Sequence, residues 1–407
     1  MIHQPPAGAR DLLPLEVVQK AWINDLLQQV FGQWGYQRVV TSTIERLETL
    51  MAGGAIDLST VIQLQDSSAG QLGLRPELTA SIARTAVTRM ADTTYPQRLC
   101  YRANVFREPP VGHHGKQLEF YQAGVELLFS GGVLADAEIL LLVANCLEQL
   151  GTPYWHLILG EASLTRSLLE PFPGSLKSQV RQCLAQLDYV TLENLDYPSV
   201  DLQQRGKLLF DLRGTPAQVL QKIFQLELDK AGQKSVNDLK SLVKLIETSW
   251  SKPFPFTLDL SLIQTFDYYT GIVFKAVGKS NNQLQILGQG GRYDKLLGVY
   301  HPQQISTPGI GFSFNLEDLY TYLLTTAILP QTPPLIDFLV IAQTSRAQSM
   351  ALSYAQQLRQ SSEKLRVALE LGGRSTEEIR NYALKSHVKT LAWITEKGEV
   401  NIEALNN

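Results

Sequence analysis

The hydrophobic positions in the first ninety residues predict a helix, a strand and a second helix. After Pro14, apolar residues recur at helical spacing as far as Trp34, and Gly35 ends the pattern. The run 36–44 is rich in β-branched residues and predicts a strand. A second helix is predicted over 78–90.

Two strand-like runs, 98–106 and 119–129, flank a polar loop that contains prolines and glycines. This arrangement predicts a long antiparallel hairpin. A strongly apolar helix is predicted over 135–150. Several helical patterns then fill 161–250, which we interpret as a helical insertion.

Strand patterns return after the insertion, at 257–262, 272–277 and 284–287. The glycine cluster within 288–291 predicts a turn after the third of these strands. Farther along the chain, the run 309–314 leads directly into another predicted helix.

The pattern changes after a proline-rich linker at 330–334. Residues 335–407 follow the order strand, helix, strand, helix, strand, which predicts parallel strands with right-handed crossovers. The sequence therefore predicts a core over 1–330 and a small α/β domain over 335–407.

Composition excludes some classes of protein. The chain has 407 residues, of which 44 % are hydrophobic, so it can bury a sizeable core. The formal charge of −3 gives no net attraction to nucleic acid or to an anionic membrane. The three cysteines, Cys100, Cys146 and Cys183, are far apart and form no CxxC pair, so we expect buried free thiols.

Targeting, membrane and metal signals are weak. The N-terminus has no basic and apolar regions typical of a signal peptide, and no apolar stretch approaches the roughly 18 residues of a membrane span. His113 and His114 lie in a Gly/Pro loop without a third ligand at a suitable spacing, so we expect them to be exposed. We expect a cytoplasmic protein with no metal and no cofactor.

Six segments carry the strongest functional signal. They are PPAGARDLLP at 5–14, LRPELT at 74–79, the run 100–128, LIQTFDYYTG at 262–271, GGRYD at 290–294 and PGIGFSFNLEDL at 308–319. In order and spacing they resemble segments of histidyl-tRNA synthetases, including motifs 2 and 3. The resemblance implies an α+β fold, with a class II aminoacyl-tRNA synthetase-like core whose mixed, largely antiparallel sheet is flanked by helices. It also implies a helical insertion at about 161–250 and a C-terminal domain, 335–407, that resembles an anticodon-binding domain.

The resemblance implies a histidine pocket made of Glu77, Thr79, Arg107, Gln122, Glu126, Tyr268 and Tyr269. Glu77 and Thr79 would supply the acceptors that an α-ammonium group needs. Gln122 and Glu126 stand four positions apart, so they share one face of an extended strand. Arg107 would hold a carboxylate or phosphate through two parallel hydrogen bonds.

Two positions depart from the synthetase pattern, and both concern the nucleotide. Gln264 stands where the family has a catalytic arginine beside the α-phosphate, and losing one such group costs roughly 10²–10³ in rate. Asp318 stands where motif 3 has the arginine that binds the γ-phosphate, so the sign of the charge is inverted. The motif 2 loop also has Lys116 where synthetases carry several arginines.

An intact amino-acid pocket without the nucleotide contacts resembles the family of ATP phosphoribosyltransferase regulatory subunits. That resemblance implies a subunit without aminoacylation activity, acting in the first step of L-histidine biosynthesis. It implies a short catalytic ATP phosphoribosyltransferase as partner and L-histidine as the ligand and feedback inhibitor. It further implies a homodimer within a hetero-oligomer.

Other interpretations remain open at this point. Gln264 is also compatible with a tolerated change in an active synthetase, and Asp318 with a solvated helix residue. Glu77 and Glu126 are also compatible with structural ion pairs, and Tyr268 and Tyr269 with plain core aromatics.

Two rival functions follow from the same segments. An active histidyl-tRNA synthetase would catalyse histidine-dependent pyrophosphate exchange. An RNA-binding or amino-acid-sensing module would use the C-terminal domain, but residues 334–407 hold nine Lys/Arg and eight Asp/Glu, a difference of +1. Because strong RNA binding needs a basic surface, we expect no tRNA partner.

Overall fold

The structure, a computed structural model, describes residues 3–54, 56–65, 70–108, 117–224, 226–262, 269–280, 283–333, 335–361 and 364–405. The chain forms two compact units. One comprises Met1–Asp11 and Gln19–Leu329, and the other comprises Leu12–Val18 and Pro330–Asn407.

The helices are α1 (Pro14–Gln33), α2 (Leu47–Met51), α3 (Thr79–Thr88), α4 (Val133–Gln149), α5 (Ala162–Leu169), α6 (Gly174–Gln186), α7 (Tyr189–Glu193), α8 (Val200–Phe210), α9 (Pro216–Ile223), α10 (Lys230–Ser249), α11 (Leu296–Tyr300), α12 (Leu316–Leu324), α13 (Gln348–Arg359) and α14 (Thr376–Lys385). The strands are β1 (Gln37–Arg38), β2 (Ile44–Arg46), β3 (Gln63–Leu64), β4 (Leu72–Leu74), β5 (Gln97–Phe106), β6 (Glu119–Leu128), β7 (Trp155–Glu161), β8 (Arg213–Gly214), β9 (Phe256–Asp259), β10 (Ile272–Ser280), β11 (Gln283–Arg292), β12 (Gly309–Asn315), β13 (Phe338–Ala342), β14 (Val367–Leu369), β15 (Thr390–Ile394) and β16 (Val400–Ala404).

A nine-stranded sheet forms the centre of the first unit, in the order β1-β5-β6-β12-β11-β10-β7-β9-β8. Its pairs are antiparallel except β1 with β5 and β7 with β9. The mixed, largely antiparallel sheet expected from the sequence is therefore confirmed. A separate small sheet has the order β2-β4-β3.

The predicted hairpin is confirmed as β5 and β6. Ala103 pairs with Gln122, Tyr101 with Gly124, and Leu99 with Glu126. Side chains alternate between the two faces of a strand, so Gln122 and Glu126 lie on the same face. In the sheet, β12 pairs antiparallel with β6 on its other side, so the same face continues onto β12.

Helices cover the opposite face of the sheet. The apolar helix α4 contributes Leu142 and Leu147, both fully buried, to the main core. Helix α10 packs against α4 and α5, which joins the predicted insertion to this core. The predicted insertion is helical except for the short strand β8, which pairs with β9.

Two local predictions are wrong. The glycines at 288–291 lie inside β11, not in a turn after it. Their small size is required because a Cβ atom on Gly290 would lie 2.7 Å from the ring of Phe274 on the neighbouring strand. The strand predicted over 36–44 is reduced to the two residues of β1.

The small sheet of the second unit has the order β14-β13-β15-β16. Strands β13, β14 and β15 are parallel, as predicted. Strand β16 was not predicted, and it pairs antiparallel with β15, so the sheet is mixed. Strand β16 lies at the edge of the sheet, and Asn401, Ile402 and Ala404 are exposed.

Candidate functional site

A pocket lies on the face of the sheet opposite α4, where α3 and α11 pack. Its polar lining residues are Glu77, Thr79, Tyr101, Arg107, Gln122, Glu126, Tyr269, Gln289, Tyr293 and Ser313. Six of the seven side chains predicted for the histidine pocket are among these lining residues. The structure thus brings together segments of the chain that lie more than 200 residues apart in sequence.

The N-terminus of α3 forms one wall. Both carboxylate oxygens of Glu77 accept backbone N–H groups of the first helical turn, from Thr79 at 2.6 Å and from Ala80 at 2.9 Å. Glu77 therefore holds the start of α3, where unpaired N–H groups favour a negative charge. Burial raises the pKa of Glu77, while these N–H groups and the nearby Arg107 oppose that rise.

Glu126 lies at the bottom of the pocket, with 1 % of its surface exposed. Its Oε1 accepts a hydrogen bond of 2.8 Å from the hydroxyl of Thr79, and its Oε2 accepts one from the hydroxyl of Tyr293. Burial raises the pKa of Glu126 to about 8, although these hydroxyl groups favour its charged form.

Gly311 makes room for this carboxylate. It pairs with Glu126 across β6 and β12, and a Cβ atom on Gly311 would overlap Oε2 of Glu126 and the carbonyl oxygen of Val125. On the other side of Glu126, the buried hydroxyl of Tyr101 reaches both Glu126 and Thr79. The carboxyl group is thus enclosed by backbone and neutral hydroxyls.

Gln122 forms the polar wall farther along β6. Its Nε2 donates to Oγ of Ser313 at 3.3 Å. Its Oε1 is buried and has no hydrogen-bond partner among the residues the structure describes. A buried acceptor of this kind costs free energy unless a ligand or water supplies a donor.

Arg107 marks the mouth of the pocket. Its Nε donates to the carbonyl oxygen of Pro76 at 2.7 Å, and its guanidinium lies over the ring of Phe120 at 5.2 Å from the centroid. These contacts fix a positive charge beside Glu77, where it can meet a carboxylate of a ligand.

The remaining wall is apolar. It is formed by Leu50, Ile56, Leu296 and Tyr300. The hydroxyl of Tyr300 donates to the carbonyl oxygen of Thr49 at 3.1 Å, which ties α11 to α2. The pocket therefore combines acidic residues, one arginine and an apolar side, and it is suited to a small ligand that carries a positively charged group and a flat or apolar part.

Two positions singled out in the sequence, Tyr268 and Gln264, lie outside the described residues. Asp318 is half-buried in the first turn of α12 and is not a lining residue; its carbonyl oxygen accepts from Nε2 of Gln285 at 2.9 Å. Burial raises the pKa of Asp318.

Arg292, in the GGRYD segment, braces the sheet. Its Nε and Nη2 donate to Oδ1 of Asp136 at 2.8 and 2.6 Å, and Nη1 contacts Asp294 at 3.1 Å. The guanidinium is buried beside α4, away from the pocket lined by Glu77 and Glu126.

Sequence reasoning missed Tyr101, Tyr293 and Ser313 as lining residues. A signal for Tyr101 existed, because the hairpin pairing places it beside Gly124, between Gln122 and Glu126 on the next strand. Tyr293 belongs to the GGRYD segment, directly after the end of β11.

Other site types find no support in the part of the chain that the structure describes. There, no group of three or more His, Cys, Asp or Glu side chains could hold a metal ion. No described helix is long and apolar enough to cross a membrane. The three cysteines are buried and free, as expected.

Comparison with known proteins identifies the fold and the family of this chain. The histidyl-tRNA synthetase family profile matches residues 8–319. An ATP phosphoribosyltransferase regulatory subunit from Rippkaea orientalis (strain PCC 8801 / RF-1) is 76 % identical over 405 residues, covering 100 % of both chains. A solved structure from Bacillus halodurans, described as an ATP phosphoribosyltransferase regulatory subunit/histidyl-tRNA synthetase, is 26 % identical, with a TM-score of 0.82 and coverage of 97 % of this chain and 99 % of that one.

A histidyl-tRNA synthetase from Nostoc sp. PCC 7120 shares the fold at 20 % identity, with a TM-score of 0.78 over 99 % of this chain and 97 % of that one. The predicted class II synthetase-like fold, with its small C-terminal sheet, is therefore confirmed. The chain belongs to the family of ATP phosphoribosyltransferase regulatory subunits, which is built on the fold of the histidyl-tRNA synthetases.

Proposed function

We propose that this chain is a non-catalytic subunit that binds L-histidine and controls a short catalytic ATP phosphoribosyltransferase, at the first step of histidine biosynthesis. The catalytic partner would need this subunit for activity, and L-histidine would inhibit the complex through it. The observation that carries the proposal is the pocket that joins Glu77, Gln122 and Glu126 beside Arg107.

The pocket suits a small zwitterion. Glu77 and Thr79 are placed to accept from an α-ammonium, and the fixed guanidinium of Arg107 is placed to bind an α-carboxylate. Glu126 and Tyr269 would then meet the side chain of the ligand. Tyr268 is assigned to the same pocket by resemblance alone.

Two positions at which synthetases carry nucleotide-binding arginines hold other residues in this sequence. Gln264 gives a neutral amide in place of an arginine, and Asp318 gives a carboxylate next to Glu317. Glu317 is paired with Lys20 and Arg10. The added negative charge in the first turn of α12 is therefore that of Asp318, which disfavours a triphosphate there. We propose on this basis that aminoacylation is lost and that tRNA is not a partner.

Feedback needs only that L-histidine bind two assembly states with different affinity. We propose a homodimer of this chain within the hetero-oligomer, in the cytoplasm. We also propose that the unit containing Pro330–Asn407 corresponds to the anticodon-binding domain of the synthetases.

The proposal is tested by co-expressing the chain with the short catalytic subunit and assaying phosphoribosyl-ATP formation. We expect activity only when both are present, with inhibition by L-histidine. Gln122→Leu should weaken the inhibition, whereas Gln186→Leu, at an exposed position of α6, should not. Full activity of the catalytic subunit alone would contradict the proposal.

An active synthetase is the second candidate, and the match of the synthetase profile to residues 8–319 favours it. Histidine-dependent pyrophosphate exchange with ATP separates the two functions. We expect no exchange above background for the purified chain.

A further inference from the structure

Among the residues that the structure describes, no cation forms an ion pair with Glu126. The groups that face it are the hydroxyls of Thr79 on α3, Tyr101 on β5 and Tyr293 after β11. On β12, Gly311 presents only backbone.

Among the described residues, the other charged and titratable groups of the pocket are Glu77, Arg107, Tyr269 and Tyr300. Glu77 has two backbone N–H donors and the charge of Arg107 close by, and these stabilise its ionised form. Glu126 has neither, and the charge of Glu77 opposes its ionisation. When the two buried carboxyl groups hold one proton between them, that proton belongs on Glu126.

The hydroxyl network can accommodate this proton. Each of the hydroxyls of Thr79, Tyr101 and Tyr293 can accept as well as donate, so none loses its hydrogen bond when Glu126 is neutral. Burial favours the same state, because it raises the pKa of Glu126 to about 8. At neutral pH the empty pocket therefore contains a carboxylic acid that can donate a hydrogen bond.

A second observation indicates that a ligand with N–H groups belongs in this cavity. Oε1 of Gln122, on the same face of β6, is a buried acceptor without a partner among the described residues. The wall around Gln122 thus offers an acceptor, while the neutral Glu126 offers a donor.

We propose that Glu126 takes part in binding as a neutral acid that donates a hydrogen bond to a basic ring nitrogen of the ligand. The inference rests on the proposed function, since it concerns the same pocket. In this hydrogen bond the proton stays on the carboxyl oxygen, so the complex holds one proton and the net charge of the pocket does not change. The pocket would therefore prefer an amino acid whose side chain is an uncharged nitrogen base at neutral pH.

Because the complex holds one proton between Glu126 and the ligand ring, the affinity depends on pH in a defined way. Affinity for L-histidine should be highest between the pKa of its imidazole, about 6.5, and the pKa of Glu126, about 8. Below this window a proton must be released on binding, and above it a proton must be taken up. Either requirement weakens binding by up to about tenfold per pH unit.

The test compares the wild type with Glu126→Gln, which keeps a neutral donor and cannot titrate. Isothermal titration with L-histidine at pH 7–9, in buffers with different ionisation heats, measures affinity and proton uptake. We expect the wild type to take up a proton at pH 8.5–9 and to weaken as pH rises. The affinity of Glu126→Gln for L-histidine should stay within about fivefold of the wild-type value at pH 7.5 and should fall less as the pH rises. The control Glu119→Gln, at an exposed position of β6, should behave as the wild type. Because titration of the ligand's α-amine is common to all three proteins, it cancels in the comparison.

Two results would overturn the inference while leaving histidine binding intact. One is loss of more than 100-fold in affinity in a folded Glu126→Gln variant, which would show that the ionised form binds. The other is equal pH dependence in wild type and variant. Absence of any binding to the wild type would instead refute the proposed function together with this inference. Thermal unfolding without ligand supplies a separate readout. Between pH 6 and 9 the unfolding midpoint of the wild type should fall relative to that of Glu126→Gln. If the two midpoints change with pH in the same way, Glu126 is not protonated at neutral pH.

Discussion

The hydroxyl of Thr79 donates a hydrogen bond of 2.8 Å to Oε1 of Glu126, and this contact joins the start of α3 to the centre of the large sheet. The two residues are 47 positions apart in sequence. Glu77 accepts hydrogen bonds from backbone N–H groups of the same helical turn, so the first turn of α3 fixes the positions of Glu77 and Glu126 relative to each other.

Thr79→Val removes this hydrogen bond at nearly constant volume. One lost hydrogen bond should lower the free energy of unfolding by about 1 kcal/mol and weaken L-histidine binding by roughly 5–10-fold. Urea denaturation and isothermal titration measure the two effects. Thr88→Val, at an exposed position of the same helix, provides the control, and equal effects of the two variants would contradict the assigned role of Thr79.

Gly311→Ala tests the close approach of β12 to Glu126. The added methyl group would overlap the carboxylate, so we expect a loss of about 1–3 kcal/mol in the free energy of unfolding. Gly32→Ala is the matched control, because a Cβ atom there has open space within α1. That control should be neutral or stabilise the protein by up to about 1 kcal/mol. A neutral effect of Gly311→Ala would show that the pocket is looser than described.

Arg292→Met tests whether this arginine is structural. Removing one partner of the buried pair with Asp136 should cost about 3–5 kcal/mol of unfolding free energy. Lys177→Met breaks the exposed pair with Glu170 and should change it by less than about 1 kcal/mol. An Arg292→Met variant with wild-type stability in urea denaturation would show that Arg292 does not brace the sheet.

Glu161 gives a pH prediction outside the pocket. Its side chain caps α5, and burial raises its pKa to about 7 from an ordinary value of 4.5. A carboxyl group with a raised folded-state pKa stabilises the fold fully below pH 4.5 and loses that contribution as pH rises through 7. Glu161→Gln should therefore gain stability relative to the wild type, by about 1–3 kcal/mol between pH 5 and 8.

Thermal and urea unfolding across that pH range measure the effect, and Glu247→Gln on the exposed side of α10 is the control. A constant difference between Glu161→Gln and the wild type would contradict the predicted protonation of Glu161.

Much of the fold followed from local patterns. The hairpin of β5 and β6 was visible because two apolar runs flank a polar loop, and the helix predicted over 78–90 corresponds to α3, Thr79–Thr88. The glycines of β11 were misassigned because the reason for them lies on other strands: Gly290 makes room for Phe274 and Phe312. Such crowding across strands leaves no local signal.

The pocket was predictable only in part for the same reason. Resemblance supplied Glu77, Gln122 and Glu126, which the structure brings together. Tyr101 and Tyr293 become neighbours of Glu126 only after strand pairing fixes their register. The pKa of Glu126 depends on that enclosure, so no sequence pattern could indicate its protonation.

Titration of L-histidine into the purified chain, alone and in complex with its catalytic partner, tests the central claim most directly. We predict saturable binding of one L-histidine per pocket, much weaker in Gln122→Leu than in Gln186→Leu. Absence of saturable heat both for the chain alone and for the complex would contradict the assignment of the pocket to L-histidine.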